Sequence, residues 1–234
     1  LSYNIETSQV IDYRNPSDFN NGNCTDSEGR IIRCQHGLRR VIREEKSGEI
    51  TVIADNYNNK KLNSPNDVAV SKLGNIWFTD PPYGILTNQE GHKSVSEQDG
   101  NHLFMVDKDF KIKKINAKFD KPNGLAFSPN SKYLYVADSG AANPGNFDLS
   151  RPHNIQILEL DDDENIINNK VFAEINNGFP DGMTVDVNGN LFVCDPNGKK
   201  IHIYEPSSNY IGNINIPERV ANCTFGGDNK SDLY

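Results

Sequence analysis

The stretch Lys121-Pro122-Asn123-Gly124-Leu125-Ala126-Phe127, continued through Ser128-Pro129-Asn130 to Tyr133-Leu134-Tyr135-Val136-Ala137-Asp138, reads as strand, tight turn, strand and a closing aspartate. The same plan recurs on either side of it. Pro65-Asn66-Asp67-Val68-Ala69-Val70 passes Gly74-Asn75 to reach Ile76-Trp77-Phe78-Thr79-Asp80. Pro180-Asp181-Gly182-Met183-Thr184-Val185 passes Asn188-Gly189 to reach Leu191-Phe192-Val193-Cys194-Asp195. Weaker copies begin at Asn23 and Asn222. Repeats about 40 to 60 residues apart, each opening on two such strands, have the period of propeller blades carrying loop insertions.

Working outward, His102-Leu103-Phe104-Met105-Val106, Ile155-Gln156-Ile157-Leu158-Glu159-Leu160 and Ile201-His202-Ile203-Tyr204 add further strands between Gly, Asn, Asp and Pro punctuation. Each repeat therefore supplies about four strands, and no segment sustains an apolar period of about 3.6, so few helices are expected. The expectation is an all-β, six-bladed β-propeller in a single domain over residues 1–234. Blades two to five would be whole. The tail of blade one would lie in Leu1-Ser2-Tyr3-Asn4-Ile5 and Gln9-Val10-Ile11-Asp12-Tyr13, and the head of blade six would end at Asp232-Leu233-Tyr234, so that the ring looks truncated at both ends. Two segments exceed the usual loop length: one from Pro81 to Asn101, the other from Ser139 through Pro144 to His153. Long loops in a compact repeat tend to be functional, and both would leave from the face that carries the Asn/Asp motif. They are candidate lids.

Composition narrows the function classes. A chain of 234 residues with 35% hydrophobic content can bury a sizeable core. No apolar run approaches the roughly 18 residues of a membrane span. A formal charge of -8 without a Lys/Arg stripe argues against a nucleic-acid surface, and Arg39-Arg40-Val41-Ile42-Arg43 reads as local strand-edge charge. Cys24, Cys34, Cys194 and Cys223 lack zinc-type spacing and read as buried reduced thiols, which leans towards the cytoplasm. A periplasmic location stays open, because any leader would precede Leu1.

Asn66, Asn123 and Asp181 each stand where an innermost strand begins, so ring geometry points them at the mouth of one central channel. Two amide oxygens and a carboxylate form a hard, oxygen-only donor set of the kind Ca²⁺ accepts; Zn²⁺, Mn²⁺ and Mg²⁺ can also meet such oxygens. One carboxylate is little charge for tight binding, so a second acid is expected, and no repeat start supplies it. Asn-Gly and Asp-Gly are also hairpin dipeptides, but the weak strand signal of Lys118-Phe119-Asp120-Lys121 places the tight turn further on, near Asn130. His36, at the end of a second strand, faces two roles: a bond to a sugar hydroxyl, or a structural bond to backbone. Tyr83 opens the first long loop and either lines the pocket or packs in the core. Trp77 belongs to the core, and His92, His102, His153 and His202 show no metal spacing.

Leu62-Asn63-Ser64-Pro65-Asn66-Asp67-Val68, Ile76-Trp77-Phe78-Thr79-Asp80-Pro81-Pro82-Tyr83-Gly84, Lys121-Pro122-Asn123-Gly124-Leu125-Ala126-Phe127-Ser128-Pro129 and Phe179-Pro180-Asp181-Gly182-Met183 together carry a resemblance. So do Cys34-Gln35-His36-Gly37-Leu38-Arg39-Arg40-Val41 and Cys223-Thr224-Phe225-Gly226-Gly227. With these motifs the chain resembles the gluconolactonase branch of the regucalcin (senescence marker protein), gluconolactonase and luciferin-regenerating enzyme family, over nearly its whole length. The resemblance implies a six-bladed propeller with one divalent cation, usually Ca²⁺, that hydrolyses sugar lactones to aldonic acids. By position it implies Asn123 and Asp181 as metal ligands, Asn66 beside metal and substrate, and Asp67 as the neighbouring acid of the substrate pocket. The family's further ligand, a glutamate in a Glu-Gly-Pro motif of the first blade, has no counterpart in this sequence. Where regucalcin has an arginine two residues before the asparagine matching Asn66, this chain has Ser64, so its substrate contacts must differ.

The chemistry expected of such a site is polarisation of a lactone carbonyl by the cation, with water attacking. Asp181 is the candidate general base, or else a ligand only, with a metal-bound water as nucleophile. The substrate would be a small sugar lactone, handled by a monomer or homodimer. A phosphoester or organophosphate hydrolase on the same site, and an interaction platform with structural Ca²⁺, are the competing readings.

Overall fold

A computed structural model describes residues 2–143 and 146–234. Leu1, expected in an outer strand, and Pro144, expected in the second long loop, lie outside the described residues. Four antiparallel sheets follow one another, each of four strands in sequence order. Blade A contains Asn20–Thr25, Ile31–Gln35, Arg40–Glu44 and Ile50–Ala54. Blade B contains Val68–Val70, Ile76–Asp80, His102–Val106 and Ile112–Lys114. Blade C contains Pro122–Phe127, Tyr133–Asp138, Asn154–Leu160 and Ile166–Glu174. Blade D contains Met183–Val185, Leu191–Asp195, Lys200–Tyr204 and Tyr210–Asn215. A hairpin of Ser2–Asn4 with Gln9–Ile11 precedes them, and one of Phe225–Gly226 with Asp232–Leu233 follows. The arrangement is propeller-like. Among the described residues the single α-helix is one turn, Tyr83–Leu86.

Strand alternation builds the cores between blades. Successive side chains of a strand point to opposite faces, and here each face meets a neighbouring blade. In blade B, Ile76 and Phe78 join Ile32, Cys34 and Val41 of blade A, whereas Trp77 joins Leu134 and Val136 of blade C. In blade C, Tyr135 and Ala137 turn the other way, to Met183, Leu191 and Val193 of blade D. The second strands are therefore buried on both faces; every residue of Ile76–Asp80 is buried. Such strands read as continuous apolar runs because neither face meets water.

In blades A to D, eight hairpins of one design, two to a blade, close the strands at the end away from the Asn/Asp motif. In each, the N–H of the fourth residue bonds the carbonyl of the first: Gly29 to Asp26, Gly48 to Glu45, Gly74 to Ser71, Phe110 to Asp107, Ser131 to Ser128, Glu164 to Asp161, Gly189 to Asp186 and Ser208 to Glu205. That fourth residue has a positive φ in all eight, as a type I turn followed by a left-handed residue requires. Glycine supplies it at no steric cost at four of the positions, and the others hold a side chain in a strained conformation.

Candidate metal centre and substrate cavity

The closing aspartates place the motif. Asp80, at the end of the second strand of blade B, accepts the N–H groups of Asn63 at 2.8 Å and Ser64 at 2.9 Å. Asp138 does the same in blade C for Asp120 and Lys121, both at 2.9 Å, and Asp195 in blade D receives Phe179 N–H at 3.4 Å. The pinned residues directly precede Pro65, Pro122 and Pro180, and a residue before proline is held extended. The backbone of the next residue then bonds across the blade: Asn66 N–H to Thr79 O and Asp181 N–H to Cys194 O, each at 2.8 Å. Only the side chains of Asn66, Asn123 and Asp181 are left to face the mouth.

Close contacts between neighbouring blades draw them together there. Gly22 N–H donates to Asn66 O at 2.8 Å, Thr79 Oγ1 to Asn123 O at 2.7 Å, and Gly182 N–H to Ala221 O at 2.7 Å. At Gly124 a Cβ would sit 2.2 Å from the Asp181 carbonyl oxygen, so only glycine allows this approach. The same contacts correct the register of the two weaker repeats. A bulge between Asn20 and Asn23 makes Asn21, not Asn23, the mouth residue of blade A. Gly182 packs on Asn222 as Gly22 packs on Asp67, so Ala221 holds the motif position and Asn222 matches Asp67.

Asn66, Asn123 and Asp181 share one cavity of about 670 Å³, together with Asp67, Tyr83, Asn21 and Asn222. The long loops contribute Glu90, Asn143 and Phe147. Phe147 packs on Phe179, with ring centroids 5.7 Å apart, to form an apolar wall. Buried Lys121 anchors the second loop through the carbonyls of Gly140 and Ala142 and the side chain of Asn143. Tyr83 lines the cavity while its hydroxyl donates to Ser139 O at 3.2 Å.

His36 stands behind the wall. It is 1% exposed and lies outside the cavity lining, so of the two roles open to it the geometry favours the bond to backbone. Its ring bonds Asn21 and the Glu90 carbonyl, and burial pushes its pKa down to about 4, against the pull of the Glu90 bond.

The cavity is electrostatically negative. Part of Asp181 faces the open space, yet protein crowds its other sides; this burial, then the charges of Asp67 and Glu90, push its pKa up to about 7, against a hydrogen bond from the Asn123 side chain. Asp67 rises to about 6 through burial, offset by the N–H groups of Val68 at 2.9 Å and Leu125 at 3.3 Å. Among the described residues, no lysine or arginine pairs with Asp67 or Asp181. Nor is there among them a group of three His, Cys, Asp or Glu side chains placed to hold a metal ion by themselves. Two amide oxygens beside a half-buried carboxylate with no cationic partner fit a hard divalent cation. Glu90, on a loop, adds a third carboxylate to the cavity lining. The repeat pattern could not show it, whereas the Asn21-Gly22 dipeptide was a readable signal for Asn21. The four cysteines are unbridged, three of them buried.

The profile of the SMP-30/Gluconolactonase/LRE-like region matches residues 3–234. A gluconolactonase of Zymomonas mobilis is 35% identical over 225 residues, which cover 92% of this chain and 59% of that protein. The chain thus spans about three fifths of that relative's length. The structure of a gluconolactonase from Xanthomonas campestris superposes with a TM-score of 0.81 at 31% identity, covering 92% of this chain and 68% of that one. A calcium-binding regucalcin of Agrobacterium tumefaciens shares the fold at 18% identity, with a TM-score of 0.70 and coverage of 92% and 66%.

Proposed function

The chain belongs to the SMP-30/gluconolactonase/LRE-like family, and from that premise we propose that it forms most of a metal-dependent lactonase opening a gluconolactone-like sugar lactone to the aldonic acid. The observation that carries this reading is the shared cavity wall of Asn66, Asn123 and Asp181. Blades A to D are blades two to five of a six-bladed, single-domain ring, and the terminal hairpins are parts of blades one and six. Asn66, Asn123 and Asp181 would hold the cation, Ca²⁺ first among the candidates, with Zn²⁺, Mn²⁺ and Mg²⁺ able to meet the same oxygens.

When bound, the cation supplies Lewis-acid polarisation of the lactone carbonyl. Asp181 orients the water and takes its proton as the water oxygen bonds the carbonyl carbon. The ring C–O bond then breaks, and the proton passes to the departing ring oxygen, which becomes the hydroxyl of the aldonic acid. Asp67 on the cavity wall accepts hydrogen bonds from sugar hydroxyls. The wall of Phe147 and Phe179 covers one side of the ring and excludes water there. Even with a divalent cation bound, three cavity carboxylates beside Arg219 leave no surplus positive charge to draw a phosphoester anion in preference to a neutral lactone.

A panel of sugar lactones and phosphoesters, assayed on the full-length protein with and without chelator, tests the proposal. Lactone turnover is expected, abolished by chelator and restored by Ca²⁺, with a loss of at least about a hundredfold in Asp181→Ala at unchanged fold. Failure to turn over any lactone while metal still raises the melting temperature would transfer support to the platform reading.

A further inference from the structure

His36 follows the second strand of blade A, Ile31–Gln35, and touches two parts of the cavity wall that are far apart in sequence. Its Nδ1 lies 3.0 Å from the Glu90 carbonyl oxygen, and its Nε2 lies 3.2 Å from Asn21 Nδ2. A carbonyl only accepts, so Nδ1 carries the hydrogen, and the bare Nε2 accepts from the Asn21 amide. One neutral tautomer alone makes both bonds. The fit is tight: a Cβ on Gly84, in the helical turn that opens the loop, would come within 2.6 Å of His36 Cβ. At 1% exposure the ring has no access to substrate, yet both its partners line the cavity. With its nitrogen given to His36, Asn21 keeps an oxygen free to accept from a ligand.

We infer that His36 is a positioning residue for the lactone hydrolysis proposed above, on which this inference rests. It ties the first strand of blade A to the first long loop, so that the Asn21 amide oxygen and the Glu90 carboxylate face the hydroxyls of a bound sugar lactone. Either wall could be built from apolar packing alone. Two directed bonds from one buried ring set the orientation of an amide and the position of a loop backbone, which packing does not do.

The two bonds can be cut separately. Asparagine places its amide nitrogen near the Nδ1 position and keeps the Glu90 bond; glutamine reaches the Nε2 position and keeps the Asn21 bond. In the full-length protein, His36→Asn is expected to raise KM for gluconolactone about fivefold with kcat within about twofold, as for loss of one uniform binding contact. His36→Gln is expected to raise KM similarly and also to speed amide hydrogen exchange over residues 87–91, which His36→Asn leaves protected. His36→Ala should combine both effects, with each amide variant a partial rescue. Wild-type KM in the folded fraction of all three variants would overturn the inference, as would losses that follow melting temperature alone. Should the wild type hydrolyse no lactone, the lactonase reading falls, and unchanged exchange at 87–91 in His36→Ala then overturns the tether on its own.

Discussion

His36 and Gly124 show how single positions set the site. An imidazole with a pKa near 4 stays neutral in the folded chain at pH values where the unfolded chain, with a value near 6.5, takes up a proton. Stability from this residue is therefore full above about pH 6.5 and is lost as pH falls towards 4. At about 1.4 kcal/mol per pH unit the loss reaches roughly 2 kcal/mol at pH 5. Asp67, Asp80 and Asp181, raised to about 6, 7 and 7 first of all by burial, work in the opposite direction, since the native state binds their protons first. Urea midpoints of wild type and His36→Gln at pH 7 and pH 5 isolate the histidine: the acid-induced loss should be smaller in the variant, and equal losses would refute the assignment. At Gly124 the constraint is space. Alanine there drives a Cβ to 2.2 Å from the Asp181 carbonyl oxygen, so Gly124→Ala should cost about 1–3 kcal/mol in denaturation and displace the neighbouring Asp181 backbone. A midpoint equal to wild type would show that the strands have room. The sequence marked Gly124 only as half of an Asn-Gly dipeptide, and its role emerges from the blade beside it.

Each two-strand unit is a positioning device whose ends do different work. At the motif end, Asp80, Asp138 and Asp195 close their second strands and fix the approach to the motif residues. Their recurrence was legible, but their function was not, because the amides they hold lie 16 to 18 residues earlier in the chain. At the far end the hairpins need only a left-handed fourth residue. Ser208 is exposed, has φ 72° and carries no side-chain bond among the described residues. Ser208→Gly should therefore stabilise by about 0.5–1 kcal/mol, raising the melting temperature by a few degrees in a scanning experiment. No change would mean that the turn already relaxes around serine. The bulge in the first strand of blade A is the element that the repeat pattern misplaced, since one strand gains residues there against its partner and the mouth passes to Asn21.

Across the whole molecule, side chains far apart in sequence face one cavity lined by three carboxylates, where the proposed cation would bind. A ligand that binds only the folded state stabilises it, by about 2.7 kcal/mol at a hundredfold excess over its dissociation constant. Calcium should therefore raise the melting temperature of the full-length protein by several degrees and leave Asp181→Asn unmoved; an equal rise in both would remove Asp181 from the ligand set. Alternation of apolar residues and the recurring Pro-Asn and Pro-Asp steps were enough, in the sequence alone, to establish all-β blades, their order and the three motif residues at their mouths. Both signals are local, written within one strand or one turn. The tertiary structure alone decided that Asn21 rather than Asn23 faces the cavity, that Glu90 of the first long loop joins its lining and that His36 stands behind the wall. Those roles depend on contacts between blades and loops, which no periodicity along a single chain encodes.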